Sequence, residues 1–274
     1  MLTLGFSPCP NDCFIFYALA HERVAPELAV QVTLEDVEAL NQRARTGALA
    51  VTKISYHAFF HLTESYIMLR AGGALGYGVG PLVVTKRPQG SLKGLRVAIP
   101  GGLTTANLLL SLFEPEVDKV ALRYDRIMPA VAAGEVDAGL IIHESRFTYP
   151  DYGLHAHLDL GAWWEAQTGL PLPLGGIMAR RDLGEERLAR LDEAIQESLR
   201  YAYAHPEETK PYVAAHAQEL SDRVRQQHID LYVNALSHDL GETGERAVRE
   251  LQARAQARGL VPAGREPLFR EARA

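Results

Sequence analysis

Short apolar runs, bounded by Gly, Pro, Asn or Asp, alternate from Leu2 to about Arg180 with stretches whose apolar positions recur at helical spacing. That alternation is the mark of parallel strands joined by crossover helices. It predicts strands at Leu2–Phe6, Ala29–Leu34, Leu49–Lys53, Ile67–Arg70, Pro81–Thr85, Arg96–Ile99, Val120–Arg123 and Ala138–Ile142. Helices are predicted near Phe14–His21, Val37–Arg45, Thr104–Leu112, Asp125–Ala132 and Ala162–Gln167. From Asp182 the pattern becomes helix alone. Leu188, Leu191, Ile195, Leu199 and Ala202 recur at intervals of 3 and 4. His205-Pro206 stops that helix and starts the next. Ser221 or Asp222 can cap a third, carrying Val224, Leu231 and Val233, and a fourth over about Glu242–Arg258 ends at Gly259. Beyond Pro262 there is little periodicity, and the tail is expected to fray.

One pattern occurs twice. Val32-Thr33-Leu34-Glu35-Asp36 leads to a helix, a stop at Gly47 and a strand at Leu49; Ala121-Leu122-Arg123-Tyr124-Asp125 leads to a helix, a stop at Gly134 and a strand at Ala138. Each is preceded by a strand, a loop and a helix. Two such βαβαβ units predict an α/β chain of two similar lobes, each a mixed, mostly parallel sheet with helices on both faces. The alternative is regular α/β repetition within one sheet. The two-lobe reading assigns 1–84 and 178–274 to a first, larger and discontinuous lobe that carries the helical C-terminal segment, and 85–177 to a second. The ligand cleft then lies between them.

Composition narrows the classes. Hydrophobic residues make up 47% of the 274, enough for a sizeable core. The net charge is −6, and no dense Lys/Arg cluster suggests a nucleic acid or an anionic membrane as partner. No run of about 18 apolar residues is present to span a bilayer, and the start Met1–Pro8 lacks the features of a secretory signal, so a cytoplasmic protein is expected. Cys9 and Cys13, the two cysteines, form neither a disulfide framework nor a zinc set; buried thiols in a reducing compartment are the plain reading.

Candidate chemistry falls in four loops that follow strands. In Ser7-Pro8-Cys9-Pro10-Asn11-Asp12, two prolines stiffen a polar pair, and Asn11 or Asp12 is expected to cap the helix at Phe14. Lys53-Ile54-Ser55-Tyr56 offers a charge, a hydroxyl and backbone N–H groups; a surface lysine and an idle serine are the plain alternative. Pro100-Gly101-Gly102-Leu103-Thr104-Thr105-Ala106-Asn107 reads as an anion-receptive nest at a helix start, better suited to a carboxylate than a nucleotide because the Walker and dinucleotide endings are missing. Plain capping by Thr104 stays open. The fourth loop begins at His143, which Leu140-Ile141-Ile142 delivers to the carboxyl end of a strand, where open α/β sheets bind ligands. Histidine titrates near neutral pH; His143 reads as a functional base or as a core-edge residue.

The other histidines have blander readings. His21, His205, His216, His228 and His238 sit among polar neighbours and are expected to be solvated. His155 and His157 lack a third metal ligand, and His57 and His61 lack the intervening Glu of a zinc helix. No Gly-x-Ser-x-Gly elbow occurs. Any catalysis is expected to be acid–base work in a shaped cleft, with no metal and no cofactor.

Ser7-Pro8-Cys9-Pro10-Asn11-Asp12, Thr52–Tyr56, Gly73–Pro81, Thr104-Thr105-Ala106, Leu160–Glu165 and, most specifically, Ile141–Tyr149 together resemble the 1,4-dihydroxy-6-naphthoate synthase family of menaquinone biosynthesis, over essentially the whole chain. The family usually has threonine at the place of Cys13. The resemblance implies a type 2 periplasmic-binding-protein-like fold. It also implies a cofactor-independent lyase of the futalosine route that converts cyclic dehypoxanthinyl futalosine into 1,4-dihydroxy-6-naphthoate and dihydroxyacetone. By the same resemblance His143 is the base, and Lys53, Ile54, Ser55, Thr105 and Ala106 contact a small-molecule carboxylate substrate, Ala106 through its backbone N–H. The alternatives are a small-anion solute-binding protein, disfavoured by the missing signal, and the related chorismate dehydratase, which has no obvious counterpart of the block at His143-Glu144-Ser145-Arg146.

Overall fold

The computed structural model describes residues 1–217 and 221–271. The chain begins β1 (Leu2–Phe6), α1 (Pro10–Ala20), β2 (Val30–Leu34), α2 (Val37–Arg45), β3 (Val51–Ser55), α3 (Tyr56–Phe60), β4 (Tyr66–Met68), β5 (Ala74–Gly76). It continues β6 (Leu82–Thr85), β7 (Arg96–Ile99), α4 (Thr105–Phe113), β8 (Asp118–Ala121), α5 (Tyr124–Ala133), β9 (Ala138–Ile141), α6 (Ser145–Thr148), β10 (His155–Asp159), α7 (Leu160–Thr168). It closes with β11 (Leu172–Arg180), α8 (Glu185–Ala204), α9 (Pro206–His216), α10 (Asp222–Tyr232), α11 (Ala235–His238) and α12 (Gly241–Ala257). Among these residues no helix is long and apolar enough to cross a membrane.

The strands form two sheets with one order. The first runs β2-β1-β3-β11-β4, with β5 also on β11; the second runs β8-β7-β9-β6-β10. In each, a central strand is flanked by two parallel partners, and an antiparallel strand follows. This is the duplicated βαβαβ unit read from the sequence. The antiparallel member always comes from the far side of a sheet change: β11 follows the whole second sheet, and β6 follows the first five strands. The changes therefore fall before Leu82 and before Leu172. Residues 82–84 sit in the second sheet and 172–177 in the first, earlier than the expected bounds at 84 and 178.

Burial explains the elements. All five residues of β3 are buried, including Thr52, Lys53 and Ser55, as befits a strand covered on both faces. The outer β2 stays largely half-exposed. The stripe Leu188, Leu191, Ile195, Leu199 and Ala202 of α8 is buried against Leu4, Phe6, Ile15 and Leu19; each such Leu or Ile contributes about 1.5–3 kcal/mol. As far as the described residues run, the tail is tied down rather than frayed: Leu268 O accepts from Met68 N (2.9 Å), and Arg270 Nε donates to the buried Asp192 (2.6 Å). Where the chain passes between the sheets, Gly80 and Gly161 meet backbone to backbone. A Cβ on Gly80 would lie 2.2 Å from Gly161 Cα, so neither position admits a side chain without displacement.

Candidate functional site

A cavity with about 730 Å³ of space, counting its open mouth, lies between the sheets. The carboxyl ends of β1, β3, β7 and β9 and the segments that follow them supply Ser7, Lys53–Ser55, Thr104–Ala106 and Ile142–His143, while α10 adds His228 and Tyr232. Lys53, Ile54, Ser55, Thr105, Ala106 and His143, singled out from the sequence, all line this one space.

On the first-sheet side, α1 starts earlier than the sequence suggested. Pro10 occupies the first turn, and Cys9 is an N-cap without a side-chain cap bond. Asn11 and Asp12 are therefore inside the helix and buried, not capping it. Asp12 Oδ2 accepts from Ser7 N (3.2 Å) and Ser7 Oγ (2.7 Å), and Oδ1 lies 2.5 Å from Lys53 Nζ. Lys53 is thus half of a buried ion pair, not a surface lysine. Ser55 is gripped by the fully buried Asn41: Ser55 N donates to Asn41 Oδ1 (3.0 Å) and Asn41 Nδ2 donates to Ser55 Oγ (3.2 Å). With Oγ accepting there, the hydroxyl hydrogen is left to point elsewhere.

On the second-sheet side the helix start is organised by side chains that bind protein. Thr104 Oγ1 accepts from Asn107 N (3.2 Å) and donates to Gly101 O (2.9 Å), so Thr104 does cap α4. Thr105 Oγ1 donates to Leu174 O (2.6 Å). The groups without an intrahelical partner are the N–H donors of Thr105 and Ala106, at the positive end of the helix. The glycine loop before them already holds a carboxylate, but it is the protein's own: Leu103 N donates to Glu38 Oε2 (3.2 Å) and Oε1 (3.4 Å). The loop N–H of Leu103 is thereby occupied, and the first turn of α4 is the helix end that faces the cavity.

His143 lies just past β9 with φ 57°, the left-handed region that a non-glycine residue enters at a cost of about 1–3 kcal/mol. Its ring meets Tyr124 edge to face (5.4 Å, 70°). Burial pushes its pKa down to about 4, with Asp12 opposing and Lys53 assisting. At neutral pH the imidazole is uncharged and carries a free lone pair.

His228 was expected in solvent, yet it is 1% exposed and faces His143, ring centroids 6.3 Å apart and planes within 23°. Its tautomer follows from its neighbours. Asn11 Nδ2 donates to Asp12 Oδ1 (2.9 Å), which turns Asn11 Oδ1 toward His228 Nε2 (3.0 Å). The proton is therefore on Nε2. Nδ1 is the basic nitrogen, 3.8 Å from Glu144 Oε2. Burial holds His228 well below the usual histidine range, and the charges of His143 and Lys53 add to this. A signal existed in the sequence: Val224, His228 and Tyr232 are spaced by 4 on the buried face of α10. His57, also read as bland, is buried, and its Nδ1 lies 3.2 Å from Thr104 O.

Of the metal-type ligands among the described residues, Cys9 Sγ, a His143 nitrogen and a Glu144 oxygen lie within 4.8 Å of one another; His205, Glu207 and Glu208 form a second, more exposed group. Cys13 is fully buried in α1, its Sγ 4.0 Å from Ser7 O, and does not line the cavity.

A family model described as menaquinone biosynthesis matches residues 2–257. A relative from Thermus thermophilus named 1,4-dihydroxy-6-naphthoate synthase is 60% identical over 268 residues, which is 98% of each chain. A crystal structure of a protein from Archaeoglobus fulgidus superposes with a TM-score of 0.91 at 40% identity, covering 95% of this chain and 98% of that one. The periplasmic aliphatic sulphonate binding protein of Escherichia coli superposes with a TM-score of 0.67 at 14% identity, covering 99% and 92%. That likeness shows the fold alone, the two-lobed architecture of periplasmic binding proteins.

Proposed function

Since the chain belongs to the 1,4-dihydroxy-6-naphthoate synthase family of menaquinone biosynthesis, we propose that it is a cytoplasmic carbon–carbon lyase acting on cyclic dehypoxanthinyl futalosine in the futalosine route. The products are 1,4-dihydroxy-6-naphthoate and dihydroxyacetone. The observation that carries this reading is His143: neutral through burial, set in a strained backbone, and facing the same cavity as Lys53, Ile54, Ser55, Thr105 and Ala106.

In this reading the substrate carboxylate sits on the N–H groups of Thr105 and Ala106 at the start of α4, where helix dipole and free donors coincide. Ser55 donates its free hydroxyl hydrogen from the opposite wall. Lys53, held by Asp12, supplies positive potential without leaving its pair. His143 removes the proton whose loss starts cleavage of the bond to the sugar-derived carbons. The electron pair stays with the ring system, which becomes aromatic, and the fragment departs as dihydroxyacetone. Aromatisation provides the thermodynamic pull, so no external oxidant or electron carrier enters the balance. A positioned base contributes about 10²–10⁴-fold, and enclosure between the sheets adds the benefit of orientation.

Incubating the protein with cyclic dehypoxanthinyl futalosine and following the naphthoate by absorbance and mass tests this directly. Folded protein that forms no naphthoate would overturn it. A solute-binding role shares the fold, but needs no neutral, strained imidazole aimed into the cleft.

A further inference from the structure

We propose that Glu38 is a positioning residue that holds the two halves of the site in register by filling the backbone nest at Gly101–Leu103 from the opposite sheet. Glu38 stands in the first turn of α2, where Asp36 Oδ1 caps the helix by accepting from Glu38 N (3.0 Å) and Ala39 N (3.1 Å). Its carboxylate then reaches in two directions. Toward the second sheet it accepts from Leu103 N (3.2 Å). Gly101, at φ 150°, closes around it so tightly that a Cβ there would lie 2.5 Å from the carboxylate. Toward its own sheet it accepts from Asn41 Nδ2 (3.2 Å), with Gln42 Nε2 (2.9 Å) steadying the other oxygen.

Both ends lead to the cavity. Asn41 is the residue that grips Ser55 at N and Oγ. Gly101 O receives the Thr104 hydroxyl, and Thr104 caps the helix whose first donors are Thr105 and Ala106. One carboxylate therefore bonds Asn41, which grips Ser55, and Leu103 N, in the loop that Thr104 closes, through charge-assisted bonds. Other ties across the cleft, His57 Nδ1 to Thr104 O (3.2 Å) and Thr105 Oγ1 to Leu174 O (2.6 Å), do not reach Ser55. The nest that the sequence presents as a ligand site is in this way an internal latch. Substrate meets a cleft whose closing contact is already supplied by the protein.

The proposal rests on the proposed function for its kinetic arm only. In steady-state kinetics with cyclic dehypoxanthinyl futalosine, Glu38→Ala is expected to raise KM roughly 10- to 100-fold, because substrate must then capture a less populated register. The kcat at saturation should stay within about threefold of wild type. Glu38→Gln keeps an oxygen for Leu103 N and should recover part of the loss. Gly101→Ala evicts the carboxylate from the other side and should reproduce the KM effect, and the double variant should be no worse than the worse single one. X-ray scattering of ligand-free protein should give a larger radius of gyration for Glu38→Ala and Gly101→Ala than for wild type. Unchanged KM and scattering in Glu38→Ala, or additive losses in the double variant, would overturn the proposal. If wild type forms no naphthoate, the proposed function fails while scattering still decides for or against the latch.

Discussion

The carboxyl end of β3 presents Lys53 and Ser55 to the cavity; just past β9, at the matching place in the second sheet, the chain presents His143. The strand orders around these two places are the same, but the means of presentation differ. On the first side each polar side chain is held by another side chain: Lys53 by Asp12 and Ser55 by Asn41. On the second side the donors at the cavity belong to the backbone of Thr105 and Ala106, and His143 is held by a left-handed backbone. The comparison separates two ways of fixing a group. Hydrogen bonds to buried partners fix a contact at little cost in strain, whereas the His143 ring is aimed by forcing the chain into a conformation it would otherwise leave.

The comparison breaks most visibly at His143. His143→Asn should lower kcat by about 10²–10⁴-fold while titration calorimetry still detects substrate binding. Asparagine tolerates the left-handed conformation, so chemistry is removed without adding strain. A variant with near-normal kcat would place the base elsewhere. Next in size, Lys53→Met strands a buried carboxylate at Asp12 and should cost about 3–5 kcal/mol in urea unfolding. Lys53→Met with Asp12→Asn should recover part of it. If Lys53→Met unfolds like wild type, the pair is not what holds the first side.

Acid should reveal the buried histidines. Burial lowers the pKa of His57 and of His143 to about 4. Unfolding returns each to about 6.5. Between those values the unfolded chain binds protons that the folded chain refuses, so stability is present above about 6.5 and is lost as pH falls toward 4. For a group shifted this far the loss is about 2 kcal/mol at pH 5. Urea midpoints across this range should fall with acid, less steeply in His57→Gln; parallel curves would show that His57 does not contribute. The smallest effects discriminate most finely. Ser55→Ala should raise KM roughly five- to tenfold by removing a donor left to the ligand. Thr105→Val should leave KM nearly unchanged and cost about 1 kcal/mol of stability, because that hydroxyl serves Leu174 O. The reverse pattern would reassign both.

Much of this was legible from periodicity. Apolar runs ending at Lys53 and Ile142 gave two of the strands, and the repeated βαβαβ pattern around them gave two similar lobes. The parts that escaped are those where a polar residue is buried for its partner's sake. Asn11 and Asp12 look like caps in a line of text, and only the approach of Lys53 and His228 places them inside. His228 sits among Arg223, Gln226 and Gln227, whose polarity masks its place on the stripe from Val224 to Tyr232. The glycine loop reads as a nest for a ligand's carboxylate, and no local pattern could name Glu38, some 65 residues away, as the carboxylate that Leu103 N meets.

The interleaving of the sheets also constrains the order of synthesis. The second sheet is contiguous in the chain, from β6 to β10, and can close as soon as its last strand leaves the ribosome. The first cannot: β3 waits for β11 with an unpaired edge while the entire second sheet is made. Open edges of that kind invite wrong partners. The polar residues of β3 therefore bear on the nascent chain as well as the finished site, since a strand bearing Thr52 on one face and Lys53 and Ser55 on the other is a poorer template for aggregation than one of pure valine and isoleucine.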